Sequence, residues 1–172
     1  MEASNERSYQ KLVLCLEELT KLYRSLLDVV RKEKDILIAA DVEKLNDSNK
    51  VKETLLYKIR SQDSARERYA KEFADLIGAD SKNPRLLEMA KIIQGEEANR
   101  LRVIHAALEM LVKRASDINK ENEQYAQSAL HSLNGAMNDI KDTLAGKKTY
   151  AREGTMAAYG PARAGNFVSK EV

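Results

Sequence analysis

Residues 96–145 decide the fold, and they read EEANRLRVIHAALEMLVKRASDINKENEQYAQSALHSLNGAMNDIKDTLA. Apolar side chains recur there at steps of three and four residues, which keeps them on one face of an α-helix and would scatter them around a strand. The first part of this face consists of Leu101, Ile104, Leu108, Leu111, Ala115 and Ile118. From Asn122 the steps lengthen to four, through Ala126 to Leu130. Because such steps turn an apolar stripe around the helix, we expect the last turns to face a different neighbour, a partner protein.

The composition favours long helices in a single domain. The chain has 172 residues, only 5% of them aromatic, and Ala, Glu, Lys, Leu and Arg dominate. It contains two Pro and seven Gly, and three of those Gly fall in the last nineteen residues. The middle of the chain is therefore almost free of residues that end helices.

Charge and cysteine content exclude several classes of protein. A formal net charge of +2, with acidic and basic residues interleaved, gives no nucleic-acid signal. The single cysteine excludes an internal disulfide and fits a reducing compartment. No run of eighteen apolar residues could cross a membrane, and residues 1–7 do not resemble a signal peptide. We therefore expect a soluble cytoplasmic protein without stable membrane insertion.

Two long helices are predicted before residue 78. The first begins near Asn5, which suits a helix N-terminus, and continues to about Ala39. The second is Val42–Ile77, with Asp41 as its N-cap and Gly78 ending it.

A short helix is predicted between the second and the last long helix. Asn83 followed by Pro84 is typical of a cap and a first helical turn, so we expect this helix to open there and to end near Gln94. Gly95 then separates it from the long helix of residues 96–145. The residues expected to face inward are Leu86, Leu87, Ala90 and Ile93.

The helix lengths predict an all-α fold, an antiparallel bundle of three long helices plus one short helix. At about 1.5 Å per residue, the first two helices reach roughly 50–55 Å and the last roughly 75 Å. With short connections, the last helix should overshoot the bundle by about a dozen residues, from about Leu133 to Ala145. We expect residues 1–146 to form the helical bundle domain and residues 147–172 a flexible tail rich in Gly and Ala.

The sequence holds no catalytic or metal-binding pattern. Its two histidines, His105 and His131, are preceded at three residues by Arg102 and Ser128 rather than by Glu. The pattern of di-iron bundles is therefore missing, and no zinc spacing or phosphate-binding glycine loop occurs. We expect no enzymatic activity, no cofactor and no small-molecule substrate.

Several stretches resemble the FlgN family of flagellar export chaperones. The long helix carries DINKEN at residues 117–122, and the tail carries TYAREG at residues 149–154. Upstream, residues 37–45 (LIAADVEKL) and residues 52–56 (KETLL) are similar to the family's pattern of Leu, Asp and Leu followed by Lys-Glu and paired leucines. The resemblance extends over roughly residues 12–154.

The resemblance implies a function and a set of site residues. The protein would keep hook-associated (hook–filament junction) subunits from premature assembly and deliver them to the type III export gate. It implies that Asn119 and Asn122 belong to the family motif, and that Tyr150, with Gly154, contacts the gate. Tyr159, followed by Gly160, is a second candidate for that tyrosine. The residues that would bind the exported subunit are Leu130, Leu133, Met137, Ile140 and Leu144.

Two alternatives stay open at this point. Asn119 and Asn122 could equally be polar seam residues that fix the register of the helices. In place of a chaperone, the chain could be a structural coiled-coil protein that self-associates through the same C-terminal helix.

Overall fold

The computed structural model describes residues 3–145. This part of the chain forms four helices and no strand. They are α1 (Ala3–Ile38), α2 (Val42–Ile77), α3 (Leu86–Ile93) and α4 (Gly95–Leu144). The prediction of an all-α bundle of three long helices and one short one is confirmed. The chain divides into two units, Met1–Tyr125 and Ala126–Val172, and the predicted tail of residues 147–172 lies outside the described residues.

The first unit is held by two clusters of buried side chains. The upper cluster joins all four helices around Tyr9 and Phe73, whose rings are 5.7 Å apart between centroids. The lower cluster joins only α1, α2 and α4, around Leu19, Ile59 and Leu111. These side chains stack along the predicted helix faces, and their burial supplies the main favourable free energy of folding.

Cross-helix contacts fix the directions of the helices in this unit. Near the start of α1, Lys11 pairs with Glu72 near the end of α2, whereas near the end of α1 Glu33 pairs with Lys52 near the start of α2. Helices α1 and α2 are therefore antiparallel. Tyr9 donates to the carbonyl of Glu97 over 3.0 Å, at the start of α4, so α1 and α4 begin at the same end.

Helix α2 begins and ends where the sequence indicates. The Asp41 carboxylate accepts a hydrogen bond from the Lys44 backbone N–H over 3.1 Å, which caps the helix. Gly78 adopts a left-handed conformation with φ of 74°, and its N–H points back to the carbonyls of the last turn. The prediction of Val42–Ile77 is confirmed at both ends.

The start of α3 differs from the prediction. The Asp80 carboxylate accepts from the N–H of Lys82 and of Asn83, so residues 80–83 form a turn and Asn83 does not cap a helix. Pro84 follows, and the helix opens only after Arg85, whose backbone is extended. Within α3, Met89 and Ala90 are buried, whereas Leu87 is 42% exposed. The inward assignment of Leu87 was wrong, and Met89 takes the position facing the core.

The two long outer helices differ from the prediction by one or two residues at their ends. Helix α1 begins at Ala3 rather than near Asn5 and ends at Ile38 rather than Ala39. Helix α4 includes Gly95, and Gln94 and Gly95 both have positive φ values of 56° and 72°, which break the chain direction between α3 and α4. Helix ends vary by this much because their terminal groups lack intrahelical partners.

Candidate docking surface

Every described side chain after Asn122 is exposed. We call residues 123–145 the C-terminal segment. The sequence predicted that cover would end near Leu133, and that position was wrong by about ten residues. A comparison of helix lengths placed the last packed residue of α4 too far along the chain. Its true position depends on where the side chains of α1 and α2 stop packing against α4. Asn122, hydrogen-bonded to α1, is the last buried residue of α4.

Five large apolar side chains of this segment form one line, which we call the ridge. Their exposed fractions lie between 48% and 83%. Steps of three and four residues place them on one face of α4. The ridge consists of Leu130, Leu133, Met137, Ile140 and Leu144.

Steps of four residues connect the buried face of α4 with the ridge. From Asn122 they lead through Ala126 to Leu130. Four residues correspond to about 400° of rotation around a helix, so each such step moves the apolar stripe by about 40°. That the last turns face a different neighbour stays a prediction.

The part of α4 that contains the first three residues of the ridge carries no formal charge. Residues 124–138 contain no Asp, Glu, Lys or Arg, in a chain that is 33% charged. Exposed helices normally carry charges, which keep them solvated and oppose association. The composition of this stretch is thus suited to contact with another protein surface.

Three polar residues mark the end of the packed part of α4. Asn122 is 4% exposed, and its side-chain N–H donates to the carbonyl of Val30 over 2.8 Å and lies 3.4 Å from the Glu33 carboxylate. The other oxygen of that carboxylate accepts from Lys52 over 2.7 Å. The side chains of α1, α2 and α4 are thereby tied together at one level, which we call the polar clamp: Glu33, Lys52 and Asn122.

The two asparagines of the sequence motif have different environments. Asn122 is buried in the clamp, and its amide oxygen has no hydrogen-bond partner. Asn119 is exposed and lines a hollow between the helices. Only Asn122 thus occupies a position from which a polar side chain can fix helix register. Glu33 and Lys52 were not predicted as a pair, since nothing in a single sequence joins two residues on different helices.

Within residues 3–145, neither the histidines nor Cys15 belong to a group that could hold a metal ion. His105 lies 3.8 Å from the Glu109 carboxylate on the surface, and no group of three His, Cys, Asp or Glu in residues 3–145 could hold a metal ion. Cys15 is buried and donates to the carbonyl of Gln62 over 3.4 Å. Burial raises the pKa of the Cys15 thiol, which suppresses the reactive thiolate.

None of the helices in residues 3–145 combines the length and the apolar composition that a membrane crossing requires. The two residues assigned to contact the export gate, Tyr150 and Gly154, lie outside the described residues, as does Tyr159.

The longest helix of the bundle leaves an apolar ridge exposed, a feature typical of protein-docking modules. The scan of protein families then gives the particular family. Residues 1–158 match the family model described as FlgN protein. The chain belongs to the FlgN family, a family of flagellar export chaperones. Comparison with the curated proteins and with the solved structures gave no match.

Proposed function

We propose that this protein is a cytoplasmic, non-enzymatic chaperone of the flagellar type III export system, and that it binds hook-associated subunits through the ridge. The observation that carries the proposal is the exposure of five aligned apolar side chains on α4 in a member of the FlgN family. Neither a cofactor nor a nucleic acid takes part.

The proposed mechanism is withdrawal of an assembly-prone segment. The ridge covers the terminal amphipathic helix of a hook-associated subunit, which otherwise assembles through that same helix. Two helices with apolar seams at steps of three and four residues pack side by side. A subunit held in this way is removed from the pool that can polymerise, as mass action requires.

The ridge can supply a moderate affinity. Burial of a large apolar side chain contributes about 1.5–3 kcal/mol. Five such residues therefore give a large favourable free energy of binding before the costs of association are subtracted. Loss of rotational freedom and ordering of the partner offset most of it, leaving an affinity on the order of micromolar. Moderate affinity suits a complex that must dissociate at the export gate.

Met137→Glu tests the ridge directly. A carboxylate in the middle of the ridge would have to be buried without a partner, so we expect binding of a hook-associated subunit to fall by more than about a hundredfold. Glu is a good helix former, and circular dichroism should therefore show unchanged helicity. Isothermal titration with the purified subunit measures the affinity.

Asn138→Glu is the matched control. Asn138 adjoins Met137 but does not belong to the ridge, so the same charge there should leave binding within about threefold of the original protein, as for an ordinary surface substitution. Equal affinities for the Met137 and Asn138 variants would remove the ridge from the mechanism.

We also propose that Tyr150, with Gly154, contacts the export gate. Tyr150 matches the family's motif position, although Tyr159-Gly160 follows close behind. Tyr150→Ala should abolish binding of the chaperone–subunit complex to the cytoplasmic domain of the gate while subunit binding persists. Loss of gate binding in Tyr159→Ala, with Tyr150→Ala unaffected, would transfer the role to the second tyrosine.

A further inference from the structure

The first unit has an open apolar groove beside α4, which we call the lateral groove. Two adjoining hollows, of about 500 and 400 Å³, share Val112 and Ser116 of α4 as common walls. Leu26 of α1 and Leu56 of α2 line the second hollow. Because Leu26 is buried and belongs to the lower cluster, the floor of the groove is part of the hydrophobic core.

The groove lies where the bundle lacks a fourth helix. In the upper cluster, α3 supplies Met89 and Ala90 to a core that α1, α2 and α4 share with it. Among the described residues, the lower cluster contains side chains of α1, α2 and α4 only. Leu86, the first residue of α3, lines the first hollow, so the groove begins beside α3 and continues alongside the lower cluster. A further helix is therefore the element that would complete the bundle at this place.

The dimensions of the groove suit a helix of about four turns. Along α4 the groove extends from His105 to Asn119, a rise of about 21 Å. An apolar stripe at steps of three and four residues on the docked helix would cover Val112, which is 41% exposed, and the half-buried Leu56 and Leu108. Removal of these side chains from water supplies the favourable free energy of docking.

Charged side chains of α4 determine which helix fits the groove. Glu109, Lys113 and Asp117 line the first hollow at steps of four residues, so they form a row of alternating sign along its wall. A docked helix with Lys, Glu and Lys at the same steps places an opposite charge against each of them, whereas the reverse order brings like charges together. The row has the same order of signs from either end, so this requirement holds for parallel and for antiparallel docking.

We propose that the lateral groove binds an amphipathic helix of a partner protein, about four turns long, with an apolar stripe flanked by a basic–acidic–basic row. Groove and ridge share no residue, so this partner is additional to the subunit that the proposed function assigns to the ridge. The apolar stripe supplies most of the affinity. The row of charges supplies selectivity, because exposed ion pairs contribute little free energy but like charges oppose docking.

Two synthetic peptides that differ only in the order of their charges test the proposal. Each has about fifteen residues with Leu at steps of three and four, and each is stapled on its outer face because so short a helix is marginal in water. The first peptide has Lys, Glu and Lys on both flanks, and the second has Glu, Lys and Glu. In fluorescence anisotropy with the full chain, the first should bind at least about fivefold more tightly, since one exposed ion pair can change affinity by up to about fivefold.

Substitutions in the chain locate the binding site. Val112→Glu places a charge on the wall of both hollows at an exposed position, and should weaken binding of the first peptide at least about tenfold. Val103→Glu, at a more exposed valine of α4 that lines neither hollow, should leave binding within about threefold. The combined exchange Glu109→Lys, Lys113→Glu and Asp117→Lys keeps alternating signs along α4 and should reverse the preference between the two peptides.

Three results would overturn the proposal. The first is equal affinity for the two peptides, or a preference that survives the combined exchange of charges. The second is binding that Met137→Glu abolishes and Val112→Glu leaves intact, because it would place the peptides on the ridge. The third is a shift of the Leu108 and Val112 methyl signals of the peptide-free protein on dilution or on Phe167→Ala, which would place a second copy or the chain's own tail in the groove.

Discussion

The carboxylate-bearing residue Glu33 is only 5% exposed, and it contacts the other two residues of the polar clamp, Lys52 and Asn122. Lys52 donates to it over 2.7 Å with 20% of its own side chain exposed. Taking a carboxylate out of water is favourable only when charge and hydrogen bonds compensate it. We therefore expect the Glu33–Lys52 pair to affect the free energy of unfolding mainly when one partner is removed and the other is left without its counter-charge.

Lys52→Met leaves the buried carboxylate without its cation, and should lower the free energy of unfolding by about 3 kcal/mol. Lys52→Met combined with Glu33→Leu removes both charges and should restore most of that loss. Urea denaturation of the two single variants and the double variant measures the coupling.

The exposed pair Lys11–Glu72 is a matched control. It also joins α1 to α2, at 3.1 Å, but both side chains are more than 40% exposed. Its coupling energy should be only about 0.2–1 kcal/mol. Similar coupling energies for the buried and exposed pairs would show that the clamp contributes nothing beyond a surface ion pair.

For a single residue, the sequence predicts which face of its helix it occupies. It does not predict which residues of other helices it contacts. Asn122 could be placed on the seam of the long helix from spacing alone, and it lies there, buried. Its acceptor on Val30 and its neighbour Glu33 are 92 and 89 residues away in the chain. Only the folded arrangement of α1 against α4 determines those contacts.

Among the elements, α3 depends most on its surroundings. A helix of eight residues is too short to be stable by itself. Met89 and Ala90 fasten it to the upper cluster, and Arg102 of α4 donates to the Ala90 carbonyl over 3.0 Å. Since α3 covers the upper cluster, its attachment should determine how stable that end of the bundle is.

Met89→Ala should lower the free energy of unfolding by about 2–5 kcal/mol, because the side chain is fully buried and its removal leaves a cavity. Leu87→Ala, two residues earlier at an exposed position, should change it by no more than about 0.5 kcal/mol. Chemical denaturation of both variants measures the difference. A Met89 variant as stable as the Leu87 variant would mean that α3 is not packed as described.

Sequence signals of different strength explain which elements could be predicted. Asp41 and Gly78 act locally, so they fix the ends of α2 without help from other helices. The start of α3 could not be derived in the same way, because the Asp80 carboxylate holds residues 80–83 in a turn and the helix opens only after Arg85. The prediction was wrong here because two local motifs compete for the same residues: the turn made by Asp80 and the helix start indicated by Asn83 and Pro84.

For the whole molecule, the central observation is that the apolar stripe of α4 has cover only as far as Asn122. The change of stepping after that residue was visible in the sequence, and it indicated a change of neighbour. The residue at which cover ends was not visible, because it depends on the packing of α1 and α2. We therefore propose the five exposed residues of the ridge as the surface that receives a subunit.

Methyl NMR of the full chain, titrated with a peptide of the terminal helix of a hook-associated subunit, tests this account most directly. We predict that the largest shift changes occur at the methyl groups of Leu130, Leu133, Met137, Ile140 and Leu144. Leu12 and Leu101, buried in the upper cluster, should not respond. Changes confined to residues 3–122, with the ridge methyl groups unmoved at saturation, would contradict the account.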